Sequence, residues 1–215
     1  IGKTRSGNDI WALRITDNPQ EDENEPMILL NAAHHGSELI SIEFALDAIR
    51  WLVTNSMEGT GKKYVSEFDT WVVPMVNPDG NFSVWDVDHN IGRKNRWDVN
   101  QNGEIEFNEG VDLNRNYPFQ WGSLGEKGSS SRYNHSWYRG PRPASEPETK
   151  AMMNLSNTYH PAVVFSWHTS GNMIISPYTI DNVKIPNPDV PWEIAEKLVQ
   201  NLPKAPSKSR AMVVK

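Results

Sequence analysis

The chain has 215 residues, a formal charge of −6 and no cysteine, a length that suits one α/β domain with a packed core, or most of a larger one. Hydrophobic residues make up 37% and aromatic residues 10%, which sets aside intrinsic disorder. Missing thiols exclude disulfides and thiolate metal sites, scattered basic residues argue against a nucleic-acid partner, and apolar runs such as Ala162–Phe165 are too short to cross a bilayer.

In chain order, Asp9–Thr16 alternates loosely and reads as an edge strand. Met27–Asn31 is a short apolar run bounded by polar residues and reads as a buried strand, as do Trp71–Val76 and Ala162–Trp167. After Glu38, apolar residues at Ile42, Ala45, Leu46, Ile49, Leu52 and Val53 make a helical stripe. From Asn77 to Ser145 there is little periodicity and much Gly, Asn, Ser and Pro. A loop region that long inside a compact domain is usually functional. Ser145 and Glu148, with Pro147 between them, predict a capping box opening a helix that reaches about Tyr159. Pro191 to Leu202 predicts a further helix. Strands alternating with helices predict an α/β fold with a mixed, largely parallel sheet and helices on both faces. No internal repeat or low-complexity linker divides the chain, so a single domain over residues 1–215 is expected.

Chemistry enters at the end of the first buried strand. His35 and Glu38 lie three apart in a loop with Gly36 between them, and strand-end loops are where α/β proteins place their chemistry. An imidazole and a carboxylate so spaced can hold two corners of a tetrahedral zinc site. Alone the pair is equally a helix start with a surface histidine. His168, at the end of the third buried strand, supplies the distant ligand that completes such sites. His34, His89, His135 and His160 read as solvated or locally hydrogen-bonded.

A second metal signal lies in the long loop region. From Asp98 to Glu109 the sequence fits a twelve-residue calcium loop: Asp98, Asn100 and Asn102 stand at positions 1, 3 and 5, and Gly103 at the turn. Glu104 offers its carbonyl at position 7, Ile105 is apolar at 8, and Glu109 is the carboxylate at 12. Two Asn ligands lower the charge and suit the calcium levels of extracellular fluid. A solvated acidic loop is the alternative. The run Asp86-x-Asp88-x-Asn90 fits less well, with Trp97 at its position 12.

His-His-Gly-Ser-Glu, ending at Glu38, resembles the His-His-Ala-Arg-Glu motif of the zinc metallocarboxypeptidases of the carboxypeptidase A, B and T type. The resemblance continues in order through Asn77-Pro-Asp-Gly80, Arg93-Lys-Asn-Arg96 and Gly110-Val-Asp-Leu-Asn-Arg-Asn116. It then runs through Tyr138-Arg-Gly-Pro141, Ser145-Glu-Pro-Glu148 and Ser166-Trp-His168. It implies the carboxypeptidase-like three-layer fold, here with the calcium loop as a bacterial-type insertion. It also implies Zn2+ held by His35, Glu38 and His168, with Asp112 orienting a ligand histidine. Arg93 would stabilise the oxyanion, and Asn114 with Arg115 would grip the free C-terminal carboxylate of a peptide. The implied protein is a secreted or periplasmic exopeptidase, monomeric, with peptide or protein C-termini as substrate.

The chain departs from the family pattern at Ser37, where relatives carry arginine, and at Ser170, where they often carry tyrosine. The family's general-base glutamate and mobile tyrosine lie well downstream of the last zinc histidine. Only 47 residues follow His168, so an incomplete catalytic domain is expected. Two rivals follow: a cell-wall peptide amidase or carboxypeptidase of the same zinc fold, and a carboxypeptidase-like binding module without catalysis.

Overall fold

The computed structural model describes residues 1–85, 92–180, 183, 186–202 and 212–214, and its contacts divide into two units, Ile1–Thr169 and Ser170–Lys215. In the first unit a short ribbon, β1 (Gly2–Lys3) with β2 (Asp9–Ile10), precedes β3 (Leu13–Ile15) and β4 (Met27–Ala32). Then come α1 (Leu39–Thr54), α2 (Gly59–Glu67), β5 (Asp69–Val73), α3 (Pro78–Val84), α4 (Pro147–Tyr159) and β6 (Val163–Trp167). Four strands form one sheet in the order β3-β5-β4-β6. β3 runs antiparallel to β5, and the other two pairings are parallel. This is the mixed, largely parallel sheet expected. The predicted strand Asp9–Thr16 is divided between two sheets. β5 starts two residues before the predicted Trp71 and stops at Val73, because Pro74 has no N–H to donate to a ladder.

Side chains alternate across β4 and meet a helix on either face. Met27 and Leu29 pack with Ala151, Met152 and Leu155 of α4. Ala32 packs with Val72 and with Ala45 of α1, flanked by Leu30 and Ile49. Helices therefore cover both faces, as the element order implied. α1 is rotated relative to the predicted stripe: it buries Ser41, Ala45 and Leu52, while Leu46 and Val53 are 46% and 56% exposed. Ser41 takes the inner face because its hydroxyl donates to Glu38 O at 2.6 Å and accepts from Ala33 N at 3.2 Å. It ties the helix to the loop before it.

The predicted capping box at α4 does not form. Glu146 is the N-cap residue, without a side-chain cap bond, and the Ser145 hydroxyl donates to Glu146 Oε1 at 2.6 Å. The long middle stretch holds α3 and two single 3-10 turns, Leu113–Arg115 and Gly125–Lys127. Side-chain-to-backbone bonds hold it together. The buried Asn116 amide, for instance, donates to Arg139 O at 2.9 Å and Arg142 O at 3.2 Å. The second unit contains β7 (Met173–Ile175), α5 (Asp189–Asn201) and β8 (Met212–Val214), with β7 parallel to β8. α5 is the helix predicted from Pro191, starting two residues earlier with Asp189 in its first turn.

Candidate metal centre and carboxylate site

β4 ends at Ala32, and the chain turns through Ala33, at φ 53°, into the loop that carries His34, His35 and Glu38. Gly36 is required by crowding: a methyl on it would overlap the backbone of Gly80 and Asn81 in α3. β6 lies beside β4 in parallel register, Ala32 opposite Trp167, so His168 emerges next to the β4 loop although it is 130 residues from Glu38. His35 Nδ1 is 2.8 Å from Glu38 Oε1, and His168 Nδ1 is 2.9 Å from Glu38 Oε2. Ligand atoms of all three lie within 4.8 Å of one another.

The charges suit a cation. Burial opposes ionising Glu38, but hydrogen bonds from His168 and then His35 outweigh it and hold the carboxyl at about 2. Burial also opposes a charged His35 ring. Its bonds to Asp112 and Glu38 prevail, so its pKa is raised. Two imidazoles and a carboxylate are the donor set of a catalytic zinc site.

Asp112 is fully buried and joins three parts of the site. Its Oδ1 lies 3.1 Å from His35 Nε2 and accepts from Asn114 N at 3.0 Å. Its Oδ2 accepts from Arg93 Nη2 at 2.7 Å and Nε at 3.1 Å. Burial works against its charge, and the His35 bond and the arginines Arg93 and Arg115 outweigh it, so its pKa is lowered. The expected orienting role toward His35 therefore has its geometry, since a carboxylate on Nε2 leaves Nδ1 to face the metal.

Asn114 and Arg115 sit in the 3-10 turn capped by Asp112. Arg115 Nη1 donates to Asn114 O at 3.2 Å, and its buried Nε has no hydrogen-bond partner among the described residues. Beside Asn114 lies a cavity of about 220 Å³ bounded by Leu29, His34, Tyr117, Met152 and Ser166, among others.

Some participants stand in the quoted motifs without a role that the sequence assigns them. Asn77 is fully buried; its amide donates to His34 O at 3.1 Å and Arg93 O at 3.4 Å, and its Oδ1 caps α3 through Gly80 N. His34 is buried with Nε2 2.7 Å from the Tyr117 hydroxyl, and burial lowers its pKa to about 3. It is locally hydrogen-bonded and neutral.

Residues 1–213 match the family model described as zinc carboxypeptidase. The chain belongs to the zinc carboxypeptidase family. It is 34% identical over 183 residues to "Metallocarboxypeptidase A" of Trichophyton tonsurans, covering 82% of this chain and 41% of that protein. "Inactive metallocarboxypeptidase ECM14" of Uncinocarpus reesii is 27% identical, over 86% of this chain and 32% of that one. Among solved structures, carboxypeptidase A from Helicoverpa armigera superposes with a TM-score of 0.86 at 27% identity, over 99% of this chain and 50% of that one. The chain spans about half the length of such relatives, or less.

In this zinc carboxypeptidase chain the loop from Asp98 to Glu109 is coiled on its own backbone. Asp98 accepts from Asn102 N and Gly103 N, Asn100 Oδ1 from Asn102 N, and Asn102 Oδ1 from Glu104 N. Glu109, 1% exposed, accepts from Val99 N, Asn100 N and Glu106 N. Gly103 has φ +89°, as its place in the turn requires. The weaker Asp86-x-Asp88-x-Asn90 run and His89 lie outside the described residues.

Proposed function

We propose that the full-length protein removes C-terminal residues from peptides, with Zn2+ held by His35, Glu38 and His168. The observation that carries this reading is the triple use of Asp112. One buried carboxylate fixes a zinc-ligand histidine, Arg93, and the turn bearing Asn114 and Arg115. Metal, oxyanion donor and carboxylate grip are thus held in one rigid relation.

Bound zinc supplies a Lewis acid for the scissile carbonyl and lowers the pKa of a water. Arg115, with a guanidinium largely unspent within the protein, and Asn114 hold the substrate's terminal carboxylate, which makes cleavage exo rather than endo. Arg93, anchored through Asp112, donates to the oxyanion as it develops, a contribution of about 3 kcal/mol if it matches other single oxyanion donors. The cavity beside Asn114 is the natural place for the terminal side chain.

The test is metal content together with hydrolysis of an N-blocked dipeptide by the full-length protein. About one equivalent of zinc is expected, with cleavage that stops when the peptide's C-terminus is amidated. Equal cleavage of free and amidated peptides would sink the carboxylate grip. Zinc without hydrolysis would instead favour a binding module, a reading supported by the similarity to a relative named inactive.

Secretion, a monomeric state and calcium belong to the same reading. Calcium is supported by the ligand spacing of the loop and by its coiled carboxylates, which lie between Arg93 and Asn114–Arg115 in the chain. Removing calcium while zinc content stays constant should lower Tm; an unchanged Tm would remove calcium from the reading.

A further inference from the structure

Behind Arg93 lies a buried polar cluster that the reaction itself does not touch. Asn95 is fully buried, and both ends of its side chain are engaged. Its Oδ1 accepts from Val111 N at 2.8 Å, while its own N–H donates to Val111 O at 3.1 Å. Its Nδ2 donates to Glu146 Oε2 at 2.7 Å and reaches Glu148 Oε2 at 3.5 Å. Asn95 is two residues from Arg93 and Val111 is next to Asp112, so this one amide joins the two segments whose side chains form the Arg93–Asp112 pair.

Glu146 is fully buried. It is neutralised by Arg5, whose Nε donates at 2.8 Å and whose guanidinium lies 3.8 Å over the Trp97 ring. Glu148, also fully buried, has no such cation in contact, and its Oε1 has no hydrogen-bond partner among the described residues. We propose that Asn95, gripped by Glu146 and Glu148, is the positioning residue that sets the Arg93–Asp112 pair for oxyanion stabilisation. The inference rests on the carboxypeptidase reading of the site.

The grip depends on the charge of Glu148. Burial above all, with the nearby carboxylates of Glu146 and Asp79 added, pushes its carboxyl up to about 8, against the opposing hydrogen bonds of its own backbone N–H and Asn95. Lys94, although adjacent to Asn95, donates to Tyr133 O at 2.7 Å and His135 O at 3.0 Å. A carboxyl so raised keeps its proton to a higher pH than an exposed glutamate does. Once ionised it sets a third negative charge beside Glu146 and Asp79.

The test uses the zinc-loaded full-length protein and a peptide with a free C-terminus. Asn95→Ala should lower kcat by about a hundredfold, the cost of a roughly 1 Å misplacement away from the reacting atoms. KM should change less than kcat, because the Asn114 turn is held by Asp112 Oδ1 and Arg93 by its Oδ2. Glu148→Gln keeps a neutral group, so its kcat should persist at a higher pH than the parent's. The parent should show at pH 7 an infrared band of a protonated carboxylic acid that this variant lacks. An active parent whose Asn95→Ala variant keeps its kcat, or loses it only through KM, overturns the proposal. So does a Glu148→Gln variant with the parent's alkaline limb, which remains readable if Asn95→Ala does not fold. A parent that cleaves no free C-terminus removes the functional reading, and the proposal with it.

Discussion

Arg115 illustrates how little a side chain's type says until its surroundings are known. Arg5, Arg14 and Arg93 are each committed to a carboxylate, Glu146, Asp69 and Asp112 respectively. Among the described residues Arg115 instead bonds a neighbouring carbonyl, and its buried Nε has no partner. Arg115→Ala should therefore raise KM about tenfold or more for free C-termini, the scale of hydrogen bonds to charged groups. C-terminally amidated peptides should show no such change, and steady-state kinetics on the matched pair decides it. Glu148 gives a residue-scale prediction in stability. Its folded pKa of about 8 lies above the ordinary 4.5, so the folded state holds the proton more tightly than the unfolded chain. Its contribution is fully present below the ordinary value and is lost as pH rises through the folded one, at about 1.4 kcal/mol per unit. Glu148→Gln should raise Tm at pH 8 and change it least near pH 4.5, as thermal unfolding at the two pH values would read. A larger gain at the acid end would contradict the sign.

At the scale of elements, strand ends carry the chemistry, and loop crowding fixes its aim. β4 and β6 deliver His35, Glu38 and His168 because they are parallel neighbours. A sequence shows two apolar runs but not their pairing, since contact between residues 130 apart is a property of the sheet. The buried strands were legible as short apolar runs, whereas the face of α1 was not. Ser41 lies inward through bonds to Glu38 and Ala33, overriding the apolar count. The capping box at α4 failed for a related reason, with the Ser145 hydroxyl drawn to Glu146. Gly36 appeared in the sequence as turn chemistry, but the structure makes it a packing residue against α3. Gly36→Ala should consequently lower Tm and zinc content together, measured by thermal unfolding and elemental analysis. A variant with parental zinc content would show that the loop accommodates the methyl.

For the molecule as a whole, the proposed metal centre would also enter the folding energetics. Its buried, acceptor-rich cluster of Glu38 and Asp112 around His35 suits a folded state that binds a cation, and binding to the folded state alone stabilises by mass action. Stripping zinc should lower Tm, and re-adding zinc should restore it; a Tm insensitive to zinc would place the metal outside the folding energetics. The sequence by itself determined the α/β class and proposed the zinc trio and the substrate grip, because these depend on residue type, short spacing and the order of several motifs. Only the tertiary structure decided that Asp112 serves His35, Arg93 and the Asn114 turn at once. It also placed Asn77, Asn95, Glu146 and Glu148 in the buried support behind them. In sequence those residues stand inside the quoted motifs, but nothing there assigns them a role. Burial and hydrogen bonding across tens of residues give them their roles, and neither is encoded in local pattern. The proposed zinc ligands were therefore legible from the chain, while the framework around them came from the fold.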